Sequence, residues 1–230
     1  MDSYKLSRDD YMEDNEVNLP DDFNDSDDSI LKCLIQSLFN VKKGYIYYHK
    51  EEDGKPFPQT ERVFAYEFYR QWATKVNDLY GVDYIVNGEP EKNRVSTCRK
   101  SKHLYPDLVM HHSQGDVTKQ GIVCEIKRKE GLSYLSFRND IEKLSYFVDK
   151  KKCKYTFQFG VFILVGSDMG EIIKVISETD KGLLKFNENS DLSPKIICIT
   201  YDGQTMEAIQ LSKLISMSPQ ERKIEINNYK

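Results

Sequence analysis

Two carboxylates and a lysine near the middle of the sequence have the types and spacing that metal-dependent chemistry needs. Asp107 begins an apolar run, and Glu125 and Lys127 lie in a second apolar run that follows a polar, glycine-bearing connection. Two such runs, each too short for a helix, predict a β-hairpin. Because side chains alternate along a strand, Glu125 and Lys127 share one face, and hairpin pairing can bring Asp107 beside Glu125.

Carboxylates inside strands this apolar are costly to bury unless a positive charge compensates them. Two carboxylates at one point also repel each other, and a divalent cation is the usual remedy. Hard oxygen ligands favour Mg²⁺ or Mn²⁺ over softer metals. A metal ion held there would acidify a bound water molecule. These residues therefore predict a magnesium site with Mn²⁺ as its substitute.

The motif Pro106-Asp107, followed after a spacer by Glu125-Ile126-Lys127, resembles the PD-(D/E)xK pattern of the restriction-endonuclease-like nuclease superfamily. The resemblance implies an Mg²⁺-dependent endonuclease that hydrolyses phosphodiester bonds in DNA, with a role in restriction or defence. It implies a metal held by Asp107, Glu125 and the main-chain carbonyl of Ile126. Lys127 would position or deprotonate the attacking water, or stabilise the developing charge.

In the same superfamily an acidic residue on the helix before the sheet often joins the metal site, directly or through water. Glu67 is the best candidate by position, since it lies at the margin of the buried face of a helix predicted over residues 60–79. Two alternatives stay open at this point. Glu67 pairs with Arg70 or Lys75 on the helix surface, or Glu61 is the acid that reaches the metal.

Hydrophobic patterns along the chain predict the elements that must position these residues. The expected order is helix 30–39, helix 60–79, strand 82–86, hairpin 104–127, helix 133–148, strand 157–165, helix 168–176, strand 195–201 and a return strand 206–209. This order predicts an α/β sandwich in which helices flank a central mixed β-sheet, as the superfamily resemblance also implies. The segment from Asp140 to Leu144, with Lys143, resembles the helix that follows Glu-x-Lys in many members.

Charge and composition divide the chain into four regions. These are an acidic, flexible leader (1–28), an N-terminal helix and loop (29–58), the nuclease-like domain (59–211) and a polar C-terminal tail (212–230). The leader holds eleven acidic residues against Lys5 and Arg8. We expect a solvated, disordered segment, and the alternative is an acidic mimic of nucleic acid that lies over a basic cleft.

Bulk properties place the chain among globular proteins, with 39% hydrophobic and 30% charged residues. No apolar run nears the roughly 20 residues of a membrane span, and no signal-peptide pattern is present, so we expect a cytoplasmic protein without membrane contact. Five scattered cysteines without a CxxC pair predict reduced thiols. A homodimer or companion defence proteins are the partners that the resemblance suggests.

The expected substrate is nucleic acid, with DNA favoured over RNA. A basic segment before the hairpin would attract phosphates, although such residues more commonly form a solvated loop. The segment contains Lys92, Arg94, Arg99, Lys100, Lys102 and His103. Several tyrosines, Tyr66 and Tyr69 among them, could stack on bases, although packing is their commoner role. The alternative function is a catalytically silent nucleic-acid or protein-binding module on the same fold. Structural ion pairs in an unrelated α/β domain are the third option.

Overall fold

A seven-stranded sheet with helices on both faces forms the centre of the described part of the chain. The computed structural model describes residues 3–14, 17, 19, 28–49, 56–88, 105–112, 120–153, 156–177 and 195–229. The strands are β1 (Tyr4–Ser7), β2 (Tyr47–His49), β3 (Pro56–Pro58), β4 (Tyr84–Gly88), β5 (Leu108–His112), β6 (Gln120–Arg128), β7 (Phe157–Val165), β8 (Ile196–Tyr201) and β9 (Thr205–Gln210). The helices are α1 (Arg8–Asp14), α2 (Asp28–Asn40), α3 (Glu61–Tyr80), α4 (Tyr134–Val148), α5 (Met169–Ser177), α6 (Leu211–Ser216) and α7 (Pro219–Asn228).

The strand order of the large sheet is β1-β9-β8-β7-β6-β5-β4. Strands β6, β7 and β8 run parallel to one another, whereas the pairs β4–β5, β5–β6, β8–β9 and β1–β9 are antiparallel. Strands β2 and β3 form a separate two-stranded sheet. The predicted α/β class with a mixed central sheet is therefore confirmed.

Alternation along β6 divides the apolar residues between two cores. Ile122, Cys124 and Ile126 belong to the core on the side of α2 and α3, while Val123 belongs to the core that α4 and α5 cover. Strand β7 is buried along nearly its whole length, as expected of a strand covered on both faces. Glu125 and Lys127 continue the row of Val123, so their side chains leave the sheet toward α4.

The two helices beside the site begin at residues that their sequences predict. Thr60 caps α3 by accepting a hydrogen bond from the N–H of Val63, and Ser133 caps α4 through a reciprocal pair of hydrogen bonds with Ser136. Burial of Phe64, Phe68, Trp72 and Val76 then holds α3 against the sheet. These caps and the buried stripe fix the helix positions, and with them the side chains at the helix starts.

Residues 4–14 differ from the predicted flexible leader. Strand β1 pairs with β9, with Leu6 opposite Met206. Tyr11 is buried and stacks on Phe39 with ring centroids 4.9 Å apart. Apolar side chains between the acids anchor the segment, although net charge alone predicted otherwise. Because β1 and β4 are opposite edges of the sheet, β1 lies far from the hairpin, while residues 15, 16, 18 and 20–27 lie outside the described residues.

The polar C-terminal region 212–230, for which the sequence predicts a helix at its start, forms α6 and α7. Leu214 and Ile215 are buried in the α4 and α5 core. Arg222 is 5% exposed and donates a hydrogen bond to the Ile215 carbonyl at 3.1 Å. Widely spaced apolar residues within a polar sequence therefore suffice to bind this segment to the domain.

Candidate functional site

Asp107 lies where the pairing of β5 with β6 ends. The last paired residues are Leu108 and Cys124, and beyond them the N–H of Ile126 donates a hydrogen bond to Asp107 Oδ2 at 2.6 Å. The N–H and C=O of one strand residue point to the same neighbouring strand. The Ile126 carbonyl therefore faces the side of the strand on which Asp107 lies.

Glu125 is a buried carboxylate with an incomplete set of partners. Its side chain is 2% exposed, and Lys143 Nζ donates a hydrogen bond to Oε2 at 2.5 Å. Oε1 is buried and finds no hydrogen-bond partner among the described residues. Burial, and then the charge of Asp107, raise the pKa of Glu125 to about 8 against the opposing effect of Lys143. The effect of Asp107 indicates that the two acids are close, as the hairpin predicts.

Helix α4 contributes an acid and a lysine to the same cluster. Lys143 Nζ lies 3.0 Å from Asp140 Oδ1, and Lys127 Nζ lies 3.6 Å from Asp140 Oδ2. Asp140 is 5% exposed, so its carboxylate contacts the ammonium groups of Lys127 and Lys143 from the buried side of the site. No sequence pattern assigns a role in the site to Asp140 or Lys143. The available signal was a charged residue beside Ile141 in the buried stripe of an otherwise amphipathic helix.

The structure separates the two glutamates of α3. Glu67 is buried and accepts hydrogen bonds from Arg70 at 2.7 and 2.9 Å and from Gln71 at 2.7 Å. Hydrogen bonds from Arg70 hold the pKa of Glu67 below its ordinary value. Glu67 therefore makes the helix-surface pair that the sequence left open, and it is absent from the lining of the cleft beside Asp107.

Glu61, in the first turn of α3, is the acid that reaches the cluster. Its Oε2 lies 3.9 Å from Lys127 Nζ, and it lines the same cleft as Asp107. Burial raises the pKa of Glu61 above its ordinary value, and the charge of Lys127 only partly opposes this rise. Glu67 is six residues further along, about 9 Å along the helix axis. This displacement is the physical reason why the preferred candidate, Glu67, does not join the site.

An open cleft gives access to Asp107. It has a volume of about 460 Å³ and lies between α3 and the β4 edge of the sheet. Its walls combine acidic, basic, aromatic and apolar side chains: Glu61, Arg62, Ala65, Tyr66, Tyr69, Asn87, Gly88, Asp107, Leu108 and Ile126. The basic segment that includes Lys92 and Arg99 lies outside the described residues.

The donor atoms at this point fit a hard divalent cation. Among the described residues, no three His, Cys, Asp or Glu side chains form a group that could hold a metal ion. The predicted site needs only two such side chains, Asp107 and Glu125, together with the main-chain carbonyl of Ile126, and all three supply oxygen. Lys143 provides Glu125 with one positive charge. Burial, followed by the charge of Asp107, raises the pKa of Glu125 to about 8 in spite of this lysine.

No protein-family model matches the sequence, and neither a curated protein nor a solved structure was found to be similar to it. In the described ranges no helix is both long enough and apolar enough to cross a membrane. Four cysteines, Cys33, Cys124, Cys153 and Cys198, are buried free thiols, and Cys98 lies outside the described residues. The geometry around Asp107 and Glu125 is therefore the basis for a functional proposal.

Proposed function

We propose that this protein is a divalent-metal-dependent nuclease with a restriction-endonuclease-like fold, which hydrolyses phosphodiester bonds in DNA. One observation carries the proposal. A deeply buried Glu125, whose Oε1 has no hydrogen-bond partner in the described part of the chain, lies beside Asp107 at the end of a hairpin. An open cleft leads to this point. Such an arrangement is costly for stability, and a bound cation would remove the cost.

Asp107, Glu125 and the main-chain carbonyl of Ile126 would hold Mg²⁺ or Mn²⁺. The metal ion, when bound, would lower the pKa of a water molecule and offset phosphate charge. Asp107 is already oriented for this role, since the N–H of Ile126 fixes one of its oxygens. The order hairpin, helix α4, then parallel strand β7 is the arrangement that the PD-(D/E)xK resemblance implies.

Lys127 would act on the attacking water or on the developing charge. Its Nζ is held between Asp140 and Glu61, at 3.6 and 3.9 Å, on the face of β6 that also carries Glu125. Asp140 is then a positioning residue, because it holds Lys127 and Lys143 without reaching the cleft lining. A charged lysine fixed in this way would need little reorganisation when negative charge develops.

A catalytically silent nucleic-acid-binding module is the second candidate, and one contact favours it. Lys143 Nζ bridges Glu125 and Asp140. An internal ammonium of this kind could substitute for a metal ion. A silent module would bind nucleic acid equally well in EDTA and would never cut it.

The testing experiment incubates plasmid DNA and single-stranded DNA with the protein in Mg²⁺, Mn²⁺ or EDTA. We expect cleavage with either metal and none in EDTA. The Asp107→Ala variant, run beside it, separates this activity from a contaminating nuclease. Intact substrate with both metals, at protein concentrations that bind the DNA, would overturn the nuclease proposal and leave the binding module. A restriction or defence role stays part of the proposal only if DNA is cut.

A further inference from the structure

Two exposed tyrosines line the cleft from α3. Tyr66 is 65% exposed and Tyr69 is 36% exposed. Their spacing of three residues places them on the same face of the helix. Three other aromatic residues of α3, Phe64, Phe68 and Trp72, are completely buried, and Tyr80 is partly buried against the same core. The core therefore does not explain Tyr66 or Tyr69, whose rings contribute instead to the open wall beside Asp107.

The remaining walls suit a planar, polar ligand with a negative charge. Arg62 is exposed and lies one helical turn before Tyr66, and Asn87 offers an amide on β4. Gly88 adds no side chain to the cleft beside Asp107. Glu61 is the acid at this end of the cleft, and Lys127 lies 3.9 Å from it. Aromatic, cationic and acidic side chains thus line the same cleft.

The size of the cleft limits what it can hold. Its volume of about 460 Å³ falls within the range of pockets that bind one small molecule, about 300–1,000 Å³. Bases of an intact duplex stay stacked inside the helix, so an aromatic ring can reach a base face only when the base is unpaired. Base–aromatic stacking is the usual means by which proteins bind single strands without sequence preference.

We propose that the cleft binds an unpaired nucleotide of a single-stranded nucleic acid, with its base stacked on Tyr66 and Tyr69. Arg62 contacts the backbone, and the strand leads from the tyrosines to Asp107. This inference rests on the proposed nuclease function and narrows its substrate to single-stranded or locally unpaired nucleic acid.

The test measures binding by fluorescence anisotropy in EDTA, where no metal-dependent cutting occurs. The probes are a labelled oligothymidylate and a labelled duplex of the same length, each over a salt series. The variants are the double substitution of Tyr66→Ala with Tyr69→Ala, and the double substitution to phenylalanine, which keeps both rings. Leu135→Ala is the matched control, because Leu135 is 63% exposed on another helix, α4.

Wild type should bind the single strand more tightly than the duplex. The double alanine variant should lose about 5-fold or more in affinity for the single strand at every salt concentration. The phenylalanine variant and Leu135→Ala should bind as wild type does. The inference is overturned if the alanine variant binds the single strand unchanged, or if wild type prefers the duplex.

The cleavage assay keeps the two proposals apart. If metal-dependent cutting occurs but the alanine variant binds and cuts a single strand normally, only the stacking proposal fails. If no cutting occurs with Mg²⁺ or Mn²⁺ but the alanine variant loses single-strand binding, only the nuclease proposal fails. Both tyrosines are exposed, so folding of the variants should be unaffected, and a thermal melt of each variant checks this.

Discussion

Two buried glutamates of this protein have opposite surroundings. Both side chains are little exposed, Glu67 at 6% and Glu125 at 2%. Arg70 and Gln71 donate three hydrogen bonds to Glu67, and those from Arg70 above all lower the pKa of Glu67 against the effect of its burial. Burial, followed by the charge of Asp107, raises the pKa of Glu125 to about 8. The two glutamates differ in how strongly the loss of hydration acts on them and in how completely their charges are compensated.

The surroundings of Glu67 and Glu125 indicate which of these buried carboxylates is a candidate for chemistry. Arg70 and Gln71 lie three and four positions after Glu67 on the same helix, so the charge of Glu67 is compensated locally. The neighbours of Glu125 are Asp107, which directly precedes β5, and Lys143 of α4, so they add a second negative charge as well as a positive one. We expect a carboxylate in these surroundings to accept a cation, whereas hydrogen bonds already compensate the charge of Glu67.

The largest expected effect is on catalysis. Asp107→Ala or Glu125→Ala should reduce Mg²⁺-dependent cleavage to the level seen in EDTA, because each change removes a metal ligand. Glu67→Gln should cut at the wild-type rate, since Glu67 lies outside the cleft. Rates from single-turnover cleavage at saturating protein test the comparison. Loss of activity in Glu67→Gln together with normal activity in Asp107→Ala would reverse the assignment of the two regions.

A second effect concerns Lys127. Lys127→Met should slow cleavage by about 10²–10⁴-fold, the range typical of a lost proton-transfer group. Lys129→Met is the matched control, because Lys129 pairs with Glu171 at 2.9 Å and not with Asp140. The same cleavage assay compares the two variants. Equal rates in both would remove Lys127 from the mechanism.

Stability should respond in the opposite sense to activity. Glu67→Ala should lower the free energy of unfolding by about 1 kcal/mol, because it removes a hydrogen-bonded charge pair whose arginine is largely solvated. Glu125→Gln should leave the metal-free protein about equally stable at neutral pH, because Glu125, with its pKa raised to about 8, is largely protonated there and glutamine has nearly the same shape. Urea unfolding in EDTA measures both changes. A large destabilisation by Glu125→Gln would indicate a structural ion pair.

The dependence of stability on pH should also distinguish the two glutamates. The folded state raises the pKa of Glu125 from 4.5 to about 8, so between these values it holds a proton that the unfolded state has lost. The contribution of Glu125 to the free energy of unfolding is therefore largest below about pH 4.5, and it declines as the pH rises toward 8. Glu67, with a lowered pKa, stabilises above its ordinary pKa and loses that contribution as pH falls.

Urea unfolding in EDTA at pH 5, 6.5 and 8 tests this difference. Glu125→Gln should flatten the decline between pH 5 and 8, and Glu67→Gln should leave it unchanged. The same decline in Glu125→Gln as in wild type would show that another group titrates there.

The sequence predicted the elements whose patterns are local. The predicted hairpin, helices α3 and α4, and the apolar strand β7 are all confirmed, because alternation, helical periodicity and the caps Thr60 and Ser133 act over a few residues. The hairpin also brought Asp107 and Glu125 together. The first core strand begins at Tyr84, two residues later than predicted.

Features that depend on tertiary packing were beyond the sequence. The choice between Glu61 and Glu67 depends on how far α3 extends past the sheet edge, which periodicity does not define. Asp140 and Lys143 join the site because α4 packs across β6. The β1 pairing with β9 joins the two ends of the chain, and no local pattern predicts such a contact.

Calorimetric titration of Mn²⁺ into wild type, Glu67→Gln and Asp107→Asn tests whether Asp107 helps to hold a divalent metal ion. We expect wild type and Glu67→Gln to bind Mn²⁺ with the same affinity and stoichiometry, and Asp107→Asn not to bind it at that site. Circular dichroism of each protein checks that the variants are folded. Absence of Mn²⁺ binding by wild type, or unchanged binding by Asp107→Asn, would mean that Asp107 and Glu125 do not form a metal site.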